Sequence, residues 1–278
     1  MVRETENPRM GLVLAGGGAK GAYQAGVFQA MAELGLCDRV EAVSGCSIGA
    51  MNALLFTAGD PALWRRAWEE TDFGGTAAPD PGRLEELEAR AANADSLEDY
   101  LRIDSLLSLD GTEETIRQWV DPAKLSRGRP RVSVCAYQLE AEEPRYFWLE
   151  DRPFPDAVKL TAASTAMPVI FPTVEFEGKH YCDGGMTPSY SRKENGDKAP
   201  LLPLAGLGLD VILVIYLSPH DKVERGLLSP DTRLLELYPS QPLESSPGTG
   251  TLDFSLEALR QRRALGLEDG RRFLAGEV

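Results

Sequence analysis

Apolar positions along this chain fall into short continuous runs and helical repeats that alternate. Residues 11–15 (GLVLA) form an apolar run too short for a helix, closed by Gly16-Gly17-Gly18, which predicts a buried strand. From Ala19 to Leu34 the pattern AKGAYQAGVFQAMAEL has helical spacing, with Gly35 as a stop. A second short strand, 40–44 (VEAVS), runs into GCSIG and then into the apolar helix IGAMNALLFTA. Strand, turn, helix, repeated once, is the start of a parallel βαβ arrangement.

Residues 61–121 predict several short helices separated by Gly, Pro and Asp, with PDPG at 79–82 as a breaker. That stretch is a candidate cap-like region over a site. Strands resume at 131–139 and 145–149, a helix lies near 156–166, and TVEFEG with KHYCDGG predicts a hairpin. Residues 186–208 form a long loop rich in charge, Pro and Gly. LDVILVIYLS (209–218) is apolar enough for a central strand. LLELYP (234–239) is a further strand candidate, and 253–274 a charged helix. Residues 1–9 are expected to be a flexible tail. The expected organisation is a single catalytic domain over 10–218, with 219–278 an extension packing on it.

With 43% hydrophobic residues among 278, the chain can bury a sizeable core without disulfides or metal. It carries 43 acidic against 29 basic residues, a net charge of -14. Such an excess argues against a nucleic-acid partner, whose phosphates need a basic face, and weakens electrostatic docking on anionic lipid. Cys37, Cys46, Cys135 and Cys182 are scattered, with no CxxC pairing. The opening MVRETENPRM has no apolar leader stretch, and no apolar run is long enough to span a bilayer. These features lead to the expectation of reduced thiols and a cytoplasmic location.

Candidate chemistry begins at Gly45-Cys46-Ser47-Ile48-Gly49, a G-x-S-x-G between strand and helix. A nucleophile elbow needs that context: the serine sits on a strained turn at a helix N-terminus, and flanking glycines let strand and helix approach. The competing reading is a glycine-rich packing turn with an N-cap serine. Gly16-Gly17-Gly18-Ala19-Lys20-Gly21 also lies between strand and helix, and its N–H groups can face an oxyanion or a phosphate. It fits G-x-G-x-x-G, but the second strand ends in Ser44-Gly45 where a dinucleotide site wants an acidic residue. No GK[ST] follows, which excludes a Walker loop. An oxyanion hole fits best, because acyl transfer needs such donors beside the serine.

Only two histidines can serve as base, His180 and His220. His220 follows the strong strand, where a conventional α/β-hydrolase keeps its catalytic histidine, yet only one strand–helix unit precedes Ser47. Asp183, in Cys182-Asp183-Gly184-Gly185, suits a tight turn and a catalytic base equally. Trp64 and Trp68 at i, i+4 beside Arg65 and Arg66 read as a helix face packed in the core, with a membrane-interface patch as the alternative.

Taken in order, GGGAKGAYQAGV (16–27), GCSIGA (45–50), ASTAMPVIFPTV (163–174) and YCDGG (181–185) resemble the patatin-like phospholipases. The resemblance covers about 16–217. It implies a three-layer α/β/α sandwich with a mainly parallel central sheet, and a Ser-Asp dyad without histidine. Ser47 maps to the nucleophile and Asp183 to its activator. Loop 16–21 maps to the oxyanion hole, through the N–H groups of Gly17 and Gly18. The implied activity is hydrolysis of fatty-acyl esters through an acyl-enzyme, of the phospholipase A or lysophospholipase type, with no metal or organic cofactor. Transient contact with a membrane surface, and a peripheral location there, would follow from a lipid substrate. The rivals are a small-ester esterase or thioesterase using His220, and a non-catalytic lipid- or nucleotide-binding protein of the same fold. Departures from the family pattern are Lys20 where arginine is common, Cys46 and the bulky Ile48 beside the serine, the long loop after Gly185, and 219–278, which carry no motif.

Overall fold

A computed structural model describes residues 8–71, 81–244 and 250–277. In chain order the elements are β1 (Met10–Leu14), α1 (Ala22–Glu33), β2 (Val40–Cys46), α2 (Ile48–Phe56), α3 (Pro61–Glu69), α4 (Pro81–Ala92), α5 (Leu97–Leu101), α6 (Asp110–Trp119) and α7 (Pro122–Ser126). They continue with β3 (Arg131–Gln138), β4 (Glu143–Trp148), α8 (Phe154–Thr165), β5 (Val174–Phe176), β6 (Lys179–Asp183), β7 (Val211–Ile215), β8 (Arg233–Leu237) and α9 (Leu256–Leu274). The helix read from residue 19 begins instead as a 3-10 turn, Gly18–Gly21, and becomes α-helical at Ala22.

The strands form one 8-stranded sheet in the order β5-β6-β3-β2-β1-β7-β8, with β4 pairing β3. Pairings β3-β2, β2-β1, β1-β7 and β7-β8 are parallel, whereas β4, β5 and β6 join antiparallel. The mostly parallel centre explains why β1 and β7 read as unbroken apolar runs: a strand covered on both faces has no polar side.

One face packs Leu12, Leu14 and Val43 against α1, α2, α3, α8 and α9. The other packs Val13, Ile212 and Val214 against Leu201 and Leu204 of the 186–208 loop and against Leu209, just ahead of β7. Beyond β3, Tyr137 and Cys182 are covered by Ala94 and Tyr100, the latter on α5. Helices α3 and α5 of the 61–121 stretch thus pack on the layers around the sheet. Trp64 and Trp68 are 1% and 2% exposed, which makes them core residues and leaves nothing of them for a membrane surface. Of the PDPG breaker, residues 79–80 lie outside the described set, and α4 starts at Pro81.

Helix α9 lies along α1, and Arg263 and Arg271 reach Gln29 and Glu33 across the contact. Residues 1–7 lie outside the described set. Arg9, expected in the tail, is held by Glu41 at 2.6 Å and by the Gly208 carbonyl at 2.9 Å. Its fork matches a carboxylate across the end of β2, a tertiary partner that local sequence does not reveal. Among the described residues, no helix is long and apolar enough to cross a membrane.

Candidate active site

Ser47 caps α2 with φ 55 and ψ -128, a left-handed backbone that costs a non-glycine residue about 1–3 kcal/mol. The flanking glycines make the turn feasible by close approach. A Cβ on Gly45 would stand 2.2 Å from the Gly49 carbonyl oxygen, and one on Gly49 would stand 2.1 Å from that of Leu14. Helix α2 is buried on every side, so the turn lies between β2 and a helix packed all round.

The register of β3 brings the aspartate beside the serine. Strand β4 occupies one edge of β3 along 133–138, while β2 occupies the other along 131–135. Where β2 ends, β6 takes over, pairing with 136–138. Cys135 is therefore opposite Cys46, and the next residue, Ala136, is opposite Asp183. Cys46 and Asp183, 137 apart in sequence, thus oppose consecutive positions of one strand, and Ser47 follows Cys46 directly.

Segment 164–166 fixes both backbones. Buried Ser164 accepts a hydrogen bond from the Ser47 N–H at 2.9 Å and donates its hydroxyl to the Cys135 carbonyl at 2.5 Å. The Ala166 carbonyl accepts the Asp183 N–H at 2.9 Å. The sequence marked this segment as part of a motif without a role for Ser164. Ser164→Ala is expected to lower stability by about 1–3 kcal/mol, because both buried partners lose their mate. An unchanged Tm in thermal denaturation would show that the two bonds carry no weight.

Asp183 is 5% exposed. Its carboxylate accepts from the Gly185 N–H at 2.9 Å and from the Cys46 thiol at 3.9 Å. Burial pushes its pKa up from the usual carboxylate range. The Ser47 hydroxyl, the Gly185 N–H, the Lys198 charge and the Cys46 thiol each favour the anion and hold the rise back. Cys46 itself is fully buried, and its thiol is driven well above the ordinary range by burial first. Its side chain is thus directed at Asp183, and Ile48 lies beneath Gly21, where a Cβ would come within 2.6 Å of it.

The glycine loop closes the third side. The Gly16 N–H bonds the Lys198 carbonyl at 2.9 Å, Ala19 that of Thr251 at 2.9 Å, and Lys20 that of Gly17 at 3.3 Å. Among the described residues, the N–H groups of Gly17 and Gly18 have no such partner. Gly16, Ala19 and Lys20 thus shape the loop, their own donors being committed. Gly18 has φ +56, and a Cβ there would stand 2.2 Å from the Thr251 carbonyl oxygen, so only glycine fits. Lys20 pairs with Glu244 at 3.8 Å.

The long loop after Gly185 is part of the same construction. The Asp197 N–H bonds the Gly184 carbonyl at 2.8 Å, and its carboxylate accepts from the Tyr146 hydroxyl at 2.7 Å. Lys198 follows, its carbonyl on the glycine loop and its stem against Gly185. Nothing local in the sequence pointed to Lys198.

The histidines lie elsewhere. His180 bonds Glu140 at 2.8 Å, and exposed His220 bonds the Ser218 hydroxyl through its N–H at 3.3 Å. Among the described residues neither is hydrogen-bonded to Ser47 or Asp183, and no group of three or more His, Cys, Asp or Glu side chains is arranged for a metal ion. A surface hollow lined by Pro122, Leu125, Leu149 and Phe154 contains none of the residues above.

A strained serine, a buried carboxylate and unpaired backbone donors together can move a proton, attack a carbonyl carbon and hold an oxyanion. Comparison with known proteins agrees in fold. A family model described as Patatin-like phospholipase matches residues 12–190. An uncharacterized NTE family protein of Mycobacterium bovis is 25% identical over 223 residues, covering 78% of this chain and 51% of its own. A counterpart in Mycobacterium tuberculosis has the same figures, so the chain spans about half the length of the curated relatives it matches. Human GIVD cytosolic phospholipase A2, solved with methyl gamma-linolenyl fluorophosphonate, superposes with a TM-score of 0.53 at 16% identity, covering 99% of this chain and 59% of that one. ExoU of Pseudomonas aeruginosa, in its complex with SpcU, gives 0.50 at 17% identity over 98% of this chain and 52% of that one. At such identities these structures speak for the fold alone.

Proposed function

The chain belongs to the patatin-like phospholipase family, and from that premise we propose that it is a serine lipid acyl hydrolase with Ser47 as nucleophile and Asp183 as its base. The observation that carries this reading is the register of β3, which sets buried Asp183 beside a serine held in a strained turn. In the first half-reaction Asp183 takes the proton from the Ser47 hydroxyl as Oγ attacks the acyl carbonyl carbon. The oxyanion that forms is met by the N–H groups of Gly17 and Gly18. Collapse of this intermediate breaks the ester C–O bond, and the proton on Asp183 passes to the departing alkoxide. Water then attacks the acyl-enzyme, giving its proton to Asp183. Collapse frees the fatty acid, and the proton returns to Ser47.

A base that is both buried and hydrogen-bonded suits this cycle. Burial raises its proton affinity toward that needed to deprotonate an alcohol in the transition state, and the neighbouring donors oppose that rise by favouring the anion. The family supports fatty-acyl esters of lipids as the substrate class, with phospholipids and lysophospholipids the substrates proposed first and glycolipids or neutral lipids the others. The rival triad would need the His220 ring at the serine, and among the described residues that exposed side chain has no hydrogen bond to Ser47 or Asp183.

Hydrolysis of a fluorogenic phospholipid and a medium-chain nitrophenyl ester tests the proposal. Turnover of both is expected. Turnover of the simple ester alone would keep the chemistry and move the substrate to small esters. Turnover of neither, by folded protein, would overturn the proposal and favour the lipid-binding alternative.

A further inference from the structure

Two buried amides lie under the glycine loop, and the chemistry above leaves them without a part. Gln24 on α1 and Asn52 on α2 are both 0% exposed. Asn52 Nδ2 donates to the Gly21 carbonyl at 2.9 Å and to Gln24 Oε1 at 2.8 Å. Gln24 Nε2 donates to the Ala15 carbonyl at 2.9 Å and to that of Ile215 at 3.4 Å. The Trp68 indole, on α3, donates to Asn52 Oδ1 at 3.0 Å.

The direction of this chain is fixed at both ends. An indole N–H can only donate, so Asn52 Oδ1 must accept and its Nδ2 must donate. Gln24 Oε1 then accepts, which turns its Nε2 toward the Ala15 and Ile215 carbonyls, groups that can only accept. Every N–H of both amides has a partner. A network so completely satisfied in the dry interior has one arrangement, since flipping either amide leaves buried groups unpaired.

Besides the Ile215 carbonyl, the network holds those of Ala15 and Gly21, the residues on either side of Gly16–Lys20. Asn52 also shares a helix with the serine: α2 starts directly after Ser47 and carries Asn52 little more than one turn further on. We propose that Trp68, Asn52 and Gln24 are positioning residues that clamp both ends of the glycine loop to the nucleophile helix. They thereby set where the Gly17 and Gly18 N–H groups stand relative to Ser47 Oγ. The kinetic part of this inference rests on the acyl-hydrolase reading; the mechanical part does not.

Gln24→Met keeps the length of the side chain and removes both donors, and Trp68→Phe removes the donor that orients Asn52. For folded Gln24→Met, kcat on a nitrophenyl ester is expected to fall about 10- to 100-fold with KM within about threefold, the pattern of a lost transition-state contact. For Trp68→Phe the expected fall is about 3- to 10-fold, since the amides remain but their orientation is released. Amide hydrogen exchange supplies the readout that loss of stability alone would not mimic. The protected N–H groups of Gly16, Ala19 and Lys20 are expected to exchange at least about tenfold faster in Gln24→Met, with those of β1, β2 and β3 unchanged. Unchanged kcat in folded variants, or exchange that rises uniformly across the sheet, would overturn the clamp. If Ser47→Ala retained full turnover, the nucleophile assignment would fall separately, and exchange at 16–20 would still decide whether the chain holds the loop.

Discussion

Ser47→Ala is expected to lower kcat on any acyl ester by about a thousandfold or more, with KM little changed, because the covalent intermediate cannot form without Oγ. The residue sits at φ 55, so the substitution leaves the backbone strain in place and the fold intact. Ser47→Gly makes a useful companion. It also lacks the hydroxyl, yet glycine adopts this conformation without penalty, so Tm should rise, by an amount matching about 1 kcal/mol or more. Inactivity in both variants, with stability moving upward only in the glycine one, would separate catalytic loss from unfolding. Full turnover in either variant would remove Ser47 from the mechanism. A fall in Tm for Ser47→Gly would mean that the turn is not strained as its dihedral angles indicate.

The second large effect is expected at Asp183. Asp183→Asn keeps the shape and the bond from Gly185 but cannot take the serine proton, and kcat should fall by about a thousandfold or more. His220→Ala, by contrast, should retain most of the activity. The reverse pattern would overturn the dyad in favour of a histidine triad. The pH dependence follows from burial. The base works only when ionised, and burial raises its pKa, so kcat/KM should fall on acidification at a higher pH than the value near 4 of a free aspartate. The same shift has a stability consequence of opposite sense. Because the folded state favours the neutral carboxyl, the stabilisation it supplies is complete below the unfolded pKa and is lost as pH rises through the folded one. Wild type should therefore lose stability across that window relative to Asp183→Asn, and parallel pH profiles of Tm for the two proteins would contradict the assigned shift.

Much of this protein was legible along the chain. The apolar runs at 11–15, 40–44 and 209–218 became β1, β2 and β7, and the repeats at 156–166 and 253–274 became α8 and α9. Glycine spacing in GCSIG and GGGAKG pointed to the two turns at which the sheet meets its helices. These are local properties: a short apolar run or a 3.6-residue repeat states which face must be buried, and a glycine states where backbone will crowd. Trp64 and Trp68, four residues apart on one helix face, are buried as that spacing requires.

Local pattern alone specified the set of elements, the two glycine turns and the few side chains capable of the chemistry. How they meet was left to packing in three dimensions. Whether Asp183 closes a tight turn or faces Ser47 depends on which residue of β3 it pairs with, and a one-residue change of register would have sent its side chain to the other face. Lys198 and Asn52 carried no signal, and Ser164 and Gln24, though inside motif segments, had no assigned role, because their partners lie on other elements and are mostly backbone groups, which look alike at every position. The loop after Gly185 and the segment at Thr251 read as connections, yet their carbonyls hold the glycine loop. Periodicity reports which side of an element is dry; which polar group meets which is settled by packing, when each buried donor must find an acceptor.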